Sequence, residues 1–238
     1  MKQKSYVHCL KDYLDWVADC HNDGGLLDEP VNDLFFRGHA DFNWELKPSI
    51  WRDPYCENDI LNKAKTRGWQ YFKDCRSELE MLITMQHFEL PTRLLDVTTN
   101  PLVAIYFACQ RTNKKANGCI MFGHHKHCDG RLFAEMVSHI IFQSDSDFLR
   151  EKQITYLKTH FDNCDLSKKS CKEIFSEPLF FFPPYTNSRI IAQSGAFIMS
   201  ALIDKNSDEE NFIRRNEHDK ASSVEDLFNK EIDRKSVV

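Results

Sequence analysis

Apolar residues at helical spacing predict helices in the first part of the chain. Residues 5–20 carry four apolar side chains three and four positions apart, with Ser5 as a suitable N-cap: Val7, Leu10, Leu14 and Val17. Residues 58–87 predict two more helices, which break near Gly68 or near Cys75–Arg76. We therefore expect three helices before residue 88.

The stretch LVAIYFACQ, residues 102–110, is almost wholly apolar. Asn100 is suited to cap a helix there, and Pro101 to occupy its first position, where no backbone donor is required. Since the stretch leaves almost no polar face, we expect a core helix that is buried on nearly all sides and offers no functional surface. Replacement of Ile105 by Ala would then cost about 2–5 kcal/mol of stability.

Short apolar runs bounded by glycine or proline predict the strands. They are LFFRGH, GCIMFG, PLFFFPP and AFIMSALI, at residues 34–39, 118–123, 178–184 and 196–203. Residues 89–100, ELPTRLLDVTTN, hold a proline and several polar residues and are predicted to form a connector. Residues 130–176 are expected to be mostly helical, and residues 187–195 to form a short helix or turn. Because helices and strands mix without regular βαβ alternation, we expect an α+β fold, a mixed single domain with a central sheet flanked by helices.

Composition places the chain among soluble globular proteins. Of its 238 residues, 42% are hydrophobic and 28% are charged, with a formal net charge of −5. The negative charge argues against general nucleic-acid binding and against attraction to an anionic membrane. The nine cysteines form no Cys-x-x-Cys pair, the first residues lack the apolar run typical of a signal peptide, and no apolar stretch reaches about 18 residues. We therefore expect a cytoplasmic protein with free thiols and no membrane partner.

The first candidate binding residue is Arg37, which follows three apolar residues and precedes Gly38. The planar guanidinium suits a phosphate or a carboxylate, and a glycine without a Cβ lets a ligand approach the backbone closely. The alternative is an arginine that pairs with a structural aspartate.

The second candidate is the pair Arg93 and Asp96, three residues apart beside two leucines. One interpretation is a mutual ion pair that fixes the connector, because buried charges persist when they are paired. The other is a polar cluster that lines a pocket together with nearby residues: Gln86, His87, Thr92 and Thr98. A histidine near a helix end is suited to act as an acid, a base or a hydrogen-bond donor.

A metal site is the third possibility, in the stretch CIMFGHHKHC. It contains five potential ligands: Cys119, His124, His125, His127 and Cys128. Their spacing matches no common zinc pattern, and adjacent histidines on an extended segment point to opposite faces. We therefore expect no metal. Dinucleotide-binding, Walker, Gly-x-Ser-x-Gly and His-Glu-x-x-His motifs are also missing from the sequence.

Four fragments together resemble the FRG family, which is named for its (Phe/Tyr)-Arg-Gly motif. In chain order they are FFRGH, WELKPSIWR, QHFELPTRLLDVTTNPLVAIYFA and SRIIAQSGAF. The resemblance covers residues 30–203, which leaves residues 1–29 as an N-terminal helix and loop. Residues 204–238 are charged and are expected to form a peripheral tail with one weak helix near 222–233.

The family occurs in bacteria and in phage-related contexts, often beside defence or toxin modules, and is distantly similar to the ADP-ribosyltransferase fold. The resemblance implies NAD as the cofactor, held through its phosphates by the arginine of the early strand. The implied catalytic residues are Arg37, His87 and Gln193, and the implied NAD-binding residues are Arg37, Gly38, His39, Arg93, Asp96 and Thr98. The Glu-x-Glu or Gln-x-Glu motif of such enzymes does not follow Gln193, so an oxocarbenium-like state would need another group for its stabilisation.

Three functions are compatible with the sequence. The first is an ADP-ribosyltransferase-like domain or NAD glycohydrolase in bacterial or phage conflict, in which Arg37, Arg93, Asp96 and Gln193 converge in one cleft around a nucleotide. The second is a non-catalytic sensor or interaction domain that recognises a phage or host protein. The third is a nuclease-like toxin that uses His87 with Arg93, against which the acidic net charge counts.

Overall fold

A computed structural model describes residues 6–23, 34–53, 57–110, 116–124, 130–142, 178–183, 188–199 and 235–237. The strands are β1 Tyr6–Val7, β2 Leu34–His39, β3 Leu94–Thr98, β4 Gly118–His124, β5 Leu179–Phe181, β6 Gly195–Met199 and β7 Lys235–Val237. The helices are α1 Leu10–Asp23, α2 Glu57–Arg67, α3 Trp69–Phe72, α4 Glu78–His87, α5 Pro101–Ala108, α6 Gly130–Phe142 and α7 Ser188–Ala192. A 3₁₀ turn spans Ser49–Trp51.

The strands form one sheet in the order β1-β7-β4-β2-β3-β6-β5. All neighbouring strands are antiparallel except β1 and β7, which run parallel. Helices pack on this mixed but mainly antiparallel sheet, so the expected α+β class with a central sheet is confirmed.

Side chains bury both faces of the central strands. On the helix face, α1 and α5 cover β2 and β4, while α2, α4 and α6 cover β3, β5 and β6. On the other face, apolar residues of the same strands pack with Leu46, from the segment that follows β2. The arrangement gives β2, β3, β4 and β6 apolar contacts on both sides.

Burial on both faces explains why the residue pattern of β3 predicts a connector. A strand that is covered on both sides carries apolar residues in succession, as in Leu94–Leu95, and loses the alternation that marks a half-exposed strand. The connector prediction is therefore wrong for Leu94–Thr98, which pair with β6 over their whole length.

The helices before residue 88 number four in the described residues, because the chain breaks at both of the positions suggested by the sequence. Gly68 separates α2 from α3, and Ser77 caps α4 by accepting a hydrogen bond from the backbone N–H of Glu80. The first helix begins at Leu10 and not at residue 5, since Tyr6–Val7 form a strand.

The sheet also includes residues from outside the segment 30–203. Lys235–Val237 pair with both β4 and β1, so these three residues of the predicted tail contribute to the sheet. The weak helix predicted near 222–233 lies outside the described residues, as does the part of the predicted helical stretch beyond residue 142.

The prediction that LVAIYFACQ is buried on nearly all sides is wrong. Its N-cap is as expected, since the Asn100 side chain accepts a hydrogen bond from the backbone N–H of Leu102 at 2.9 Å. Within α5, however, only Ala104 and Ala108 are fully buried, and Leu102 and Tyr106 are more than half exposed. The helix therefore presents an apolar face to solvent.

Candidate functional site

A small cleft with both polar and apolar walls lies on the helix face of the sheet. Strands β3 and β6 form its floor, and the C-terminal end of α4 and helix α7 form its sides. Its volume is about 40 Å³, so it admits a part of a ligand and not a whole dinucleotide. The lining residues are Ile83, Gln86, His87, Asp96, Val97, Arg189, Ile190, Gln193, Gly195, Ala196 and Phe197.

Asp96 is the exposed member of a strand that is otherwise buried. Its neighbours on the same face, Leu94 and Thr98, are buried, because side chains two apart along a strand share a face. The Gln86 amide donates a hydrogen bond to Asp96 Oδ2 at 2.7 Å. Oδ1 accepts no hydrogen bond from the described residues, so half of this carboxylate is available to a ligand in the cleft.

Gln86 holds the Asp96 carboxylate because its own orientation is fixed. The Thr92 hydroxyl donates to Gln86 Oε1 at 2.5 Å, which leaves the amide nitrogen to face Asp96. The Thr92 hydroxyl in turn accepts a bond from the backbone N–H of Leu94 at 3.1 Å. The three side chains thus form an ordered line from the start of β3 to the cleft.

Gln193 lies across the cleft from α4, in the turn between α7 and β6. The Thr98 hydroxyl donates to the Gln193 carbonyl at 2.6 Å, and Thr99 N–H donates to the Ser194 carbonyl at 3.0 Å. Ser194 adopts a φ of 45°, a conformation that is unfavourable for a serine and that these bonds help to maintain. Thr98 therefore positions the turn that carries Gln193, whose side chain makes no hydrogen bond within the described residues.

Arg93 does not pair with Asp96. Its guanidinium forms a two-point ion pair with Glu57 at the start of α2, with Nε donating to Oε1 at 2.9 Å and Nη2 donating to Oε2. Both side chains are buried, and the guanidinium also lies 5.7 Å from the ring centroid of Trp51. The predicted mutual pair is wrong, and Arg93 instead fixes α2 against the beginning of β3.

The reason is the geometry of a strand. Side chains three residues apart in a strand point to opposite faces, whereas the same spacing in a helix brings them together. Once residues 94–98 form β3, Arg93 and Asp96 are directed away from each other.

Arg37 approaches Asp96 from the opposite face of the sheet. Strands β2 and β3 share a single register pair, Phe36 with Thr98, and Arg37 points to the face that is opposite to the Asp96 carboxylate. Its Nη1 donates to the backbone carbonyl of Asp96, and its Nε donates to Nε2 of the buried His39 at 2.9 Å. Arg37 thus links two strands where their backbone pairing stops.

The surroundings lower the pKa of Arg37 to about 10, chiefly because the guanidinium is removed from water. The nearby charge of Asp96 raises the pKa and that of Arg52 lowers it, without overcoming the effect of burial. A pKa near 10 still leaves the group fully charged at neutral pH. Within the described residues, no carboxylate lies at ion-pair distance from Arg37, so the alternative of a structural aspartate partner is not what is observed.

The glycine of the Arg-Gly motif is explained by packing. A Cβ placed on Gly38 would lie 1.9 Å from the Ala104 carbonyl oxygen and 2.8 Å from the Ala108 nitrogen. The space beside Gly38 is therefore occupied by the backbone of α5. Gly118 on β4 meets the same helix in the same way, with its Cβ position 2.0 Å from the Ala108 carbonyl oxygen.

The structure thus brings together some of the residues expected from the sequence and separates others. His87, Asp96 and Gln193 line one cleft, and Thr98 supports it. Arg37 bonds only to the backbone carbonyl of Asp96, and Arg93 is paired with Glu57. Asp96 and Gln193 therefore line one cleft as expected, whereas neither Arg37 nor Arg93 does. Arg189 was not predicted, although it belongs to the fragment SRIIAQSGAF and lies four residues, one helical turn, before Gln193.

The comparison with protein families gives a match to the FRG domain over residues 32–117. This part of the chain is similar to the FRG domain. The match runs from β2 to beyond α5 and includes the Arg-Gly motif, α4 and Asp96, while Arg189 and Gln193 of the cleft lie outside it. No curated protein and no solved structure matches the chain, so similarity to ADP-ribosyltransferases finds no support from that side.

The described residues include neither a metal-binding group nor a membrane-spanning helix. Among them, no group of three or more His, Cys, Asp or Glu side chains is placed to hold a metal ion. Cys119 is buried in the sheet, and His125, His127 and Cys128 lie outside the described residues. No helix in this part of the chain is both long enough and apolar enough to cross a membrane.

Proposed function

We propose that the cleft binds a nucleotide, with NAD as the first candidate. The observation that carries the proposal is the convergence of Asp96, Gln193 and His87 from three separate elements, with Arg189 beside them. A carboxylate oxygen and an amide that have no described partner would accept from and donate to sugar hydroxyls or a base edge. A guanidinium at the same cleft suits a phosphate.

The size of the cleft limits which part of a nucleotide could enter it. A volume of about 40 Å³ accommodates a few water molecules or one edge of a ring, so the phosphates of a dinucleotide would lie at the rim. Arg189 lies on α7 and lines the cleft, and we propose that it contacts those phosphates. Arg37 would affect ligand binding only indirectly, by fixing the backbone of β3 under the ligand. The phosphate contact is thereby assigned to Arg189 in place of Arg37.

If the domain cleaves NAD, Asp96 is the group that we propose to stabilise the reaction. Cleavage breaks the bond between C1′ and the nicotinamide nitrogen, the electron pair leaves with nicotinamide, and positive charge develops on the ribose. A carboxylate held by Gln86 would stabilise that charge without reorganisation. Water, or a target group, would then bond to C1′ and lose its proton. By family resemblance, such an activity would serve in conflict between bacteria and phages.

The experiment combines calorimetric titration of NAD with measurement of nicotinamide release. We expect Asp96→Asn to abolish release, while Asp15→Asn, which alters an exposed aspartate on α1, leaves it unchanged. Arg189→Ala should weaken NAD binding by roughly ten- to a hundredfold, the effect of losing one charge-assisted hydrogen bond. Arg37→Ala should instead lower Tm, because two strands lose their link. Equal NAD affinity in wild type and Arg189→Ala would refute this placement of the ligand.

A second candidate is a non-catalytic domain that recognises a phage or host protein. The exposed apolar face of α5 favours it, since Leu102, Tyr106 and Phe107 lie side by side on the surface of a short helix. This function would hold if wild-type protein neither bound nor consumed NAD, and if a bound protein were lost in Tyr106→Ser but kept in Trp69→Ser. Trp69 is an equally exposed aromatic residue on α3 and serves as the matched control.

A further inference from the structure

A row of exposed aromatic rings continues the cleft along the surface of the protein. Tyr71 and Phe88 have ring centroids 5.5 Å apart, and Phe88 and His87 are also 5.5 Å apart. We call Tyr71, Phe88 and His87 the aromatic ledge. All three are exposed, and His87 also lines the cleft, so the ledge and the polar groups of the cleft form one continuous surface.

The end of α4 fixes the ledge in this position. The backbone N–H of Phe88 bonds to the Thr84 carbonyl, and the N–H of Leu90 bonds back to the Met85 carbonyl at 3.0 Å. Glu89 between them takes a φ of 60°, a conformation that glycine usually supplies. This reversal turns Leu90 towards the core and leaves the Phe88 ring in solvent.

Asp96, beside the aromatic ledge, restricts which hydrogen-bonding groups a ring bound on the ledge could carry. Asp96 offers a carboxylate oxygen that only accepts hydrogen bonds, and Gln86 keeps it in place. A wholly apolar ring would remove the Asp96 charge from water without a compensating hydrogen bond. A ring edge that carries only acceptors would place its lone pairs against those of the carboxylate, which is repulsive. A ring that bears N–H donors satisfies the carboxylate and stacks on the ledge at the same time.

We infer that the aromatic ledge and Asp96 together bind a heteroaromatic ring that carries an exocyclic NH₂ group, as an aminated nucleobase or a carboxamide-bearing pyridine does. The inference rests on the proposed function in that the ring would belong to the nucleotide. It goes further by assigning the ring to Phe88 and Tyr71 and its amino group to Asp96. It also separates the ring site from the phosphate contact at Arg189.

Calorimetric titrations with two pairs of probes test it: adenosine against inosine, and ADP against IDP. Within each pair, the exocyclic amino group of adenine is replaced by a carbonyl that only accepts hydrogen bonds, and the adjacent ring nitrogen gains a proton. We expect wild-type protein to bind adenosine at least tenfold more tightly than inosine. Phe88→Leu, which keeps an apolar side chain and removes the ring, should weaken adenosine binding by roughly ten- to a hundredfold.

Two variants provide the controls. Phe107→Leu removes a ring from another exposed aromatic pair, on α5, and should leave adenosine affinity unchanged. Asp96→Asn replaces an acceptor by a group that also donates, so the ratio of adenosine to inosine affinity should fall towards one. Thermal melting of each variant shows whether the fold is retained. Phe88→Tyr, which keeps a ring at this position, should bind adenosine as the wild type does, in contrast to Phe88→Leu.

The outcomes separate the inference from the proposed function. If ADP and IDP bind equally well and Phe88→Leu has no effect, the ledge assignment is overturned while nucleotide binding stands. If adenosine binds as expected but neither ADP nor NAD binds measurably, the ring site stands and the nucleotide function fails. If no probe binds, both are overturned.

Discussion

Helices α4 and α5 pack on the same face of one sheet, yet they bury opposite kinds of side chain. Helix α4 buries most of its large apolar residues and leaves its polar ones half-buried or exposed: Leu79, Leu82, Ile83 and Met85 are all in the core. Helix α5 buries two alanines and exposes a leucine, a tyrosine and a phenylalanine. Apolar content therefore does not by itself determine which residues of a helix reach the core.

The difference arises from the strands beneath. Under α5, Gly38 and Gly118 lack side chains, so the helix backbone approaches the sheet until only alanines fit between them. Under α4, the strands carry the large side chains of Leu94, Phe197 and Met199, which pack in one cluster with the buried apolar residues of the helix. Glycines in neighbouring strands thus set the distance of the helix, and the distance decides which face of the helix is buried.

The largest effect should come from the α4 side of the comparison. Leu82→Ala removes a side chain that is 0% exposed and leaves a cavity, with an expected loss of about 2–5 kcal/mol in the free energy of unfolding. Urea denaturation of purified protein measures it. A loss below about 1 kcal/mol would mean that α4 repacks and is not the rigid helix described above.

The next effect should come from the contact between α5 and β2. Gly38→Ala would place a methyl group against the Ala104 backbone carbonyl, and we expect a loss of about 3 kcal/mol, at the upper end of over-packing costs. Gly195→Ala is the matched control, because its Cβ would meet its nearest neighbour at an ordinary 3.4 Å. Similar midpoints for the two variants in denaturation would show that α5 is not held by this close approach.

A smaller effect is expected for Ile105→Ala. Ile105 is half-buried and packs only against the edge of the cluster under α1 and α5, so the loss should be about 1 kcal/mol. This value replaces the 2–5 kcal/mol that full burial would give. The same denaturation series measures it, and a loss above about 2 kcal/mol would show that the outer side of α5 is covered in solution.

The smallest effect should come from Leu102→Ala, the direct counterpart of Leu82→Ala on the exposed face of α5. Because Leu102 is 51% exposed, its replacement should change the free energy of unfolding by no more than about 0.5 kcal/mol. The contrast between the two leucines, measured in one experiment, tests the comparison most directly. Equal losses would contradict it.

Sequence reasoning succeeded where the signal is local. The strands β2 and β4 follow from short apolar runs, and the start of α5 follows from Asn100 and Pro101, whose roles depend only on adjacent residues. The Arg-Gly and Gln-His motifs also led to the FRG family, which the match over residues 32–117 supports.

It failed where the cause is distant in sequence. The partner of Arg93 is Glu57, on another element 36 residues away, and no spacing rule points to it. Strand β3, which forms part of the floor of the cleft, has the sequence pattern of a connector because it is buried on both faces. The role of Gly38 depends on Ala104, which only the folded chain brings near.

Asp96 is held by contacts on both sides of the sheet. A side chain on the opposite face can therefore report whether the cleft is occupied. Its carboxylate bonds to Gln86 on the helix face, while its backbone carbonyl bonds to Arg37, which projects from the other face. We expect a ligand that bonds to the Asp96 carboxylate to shift β3 by a fraction of an ångström. This shift would alter the bond between the Asp96 carbonyl and the Arg37 guanidinium. The ¹⁵N resonance of Arg37 Nη1, which makes that bond, should therefore move when the cleft fills, although the ligand never touches that side chain. Such a signal would report occupancy without any label on the ligand or in the cleft itself.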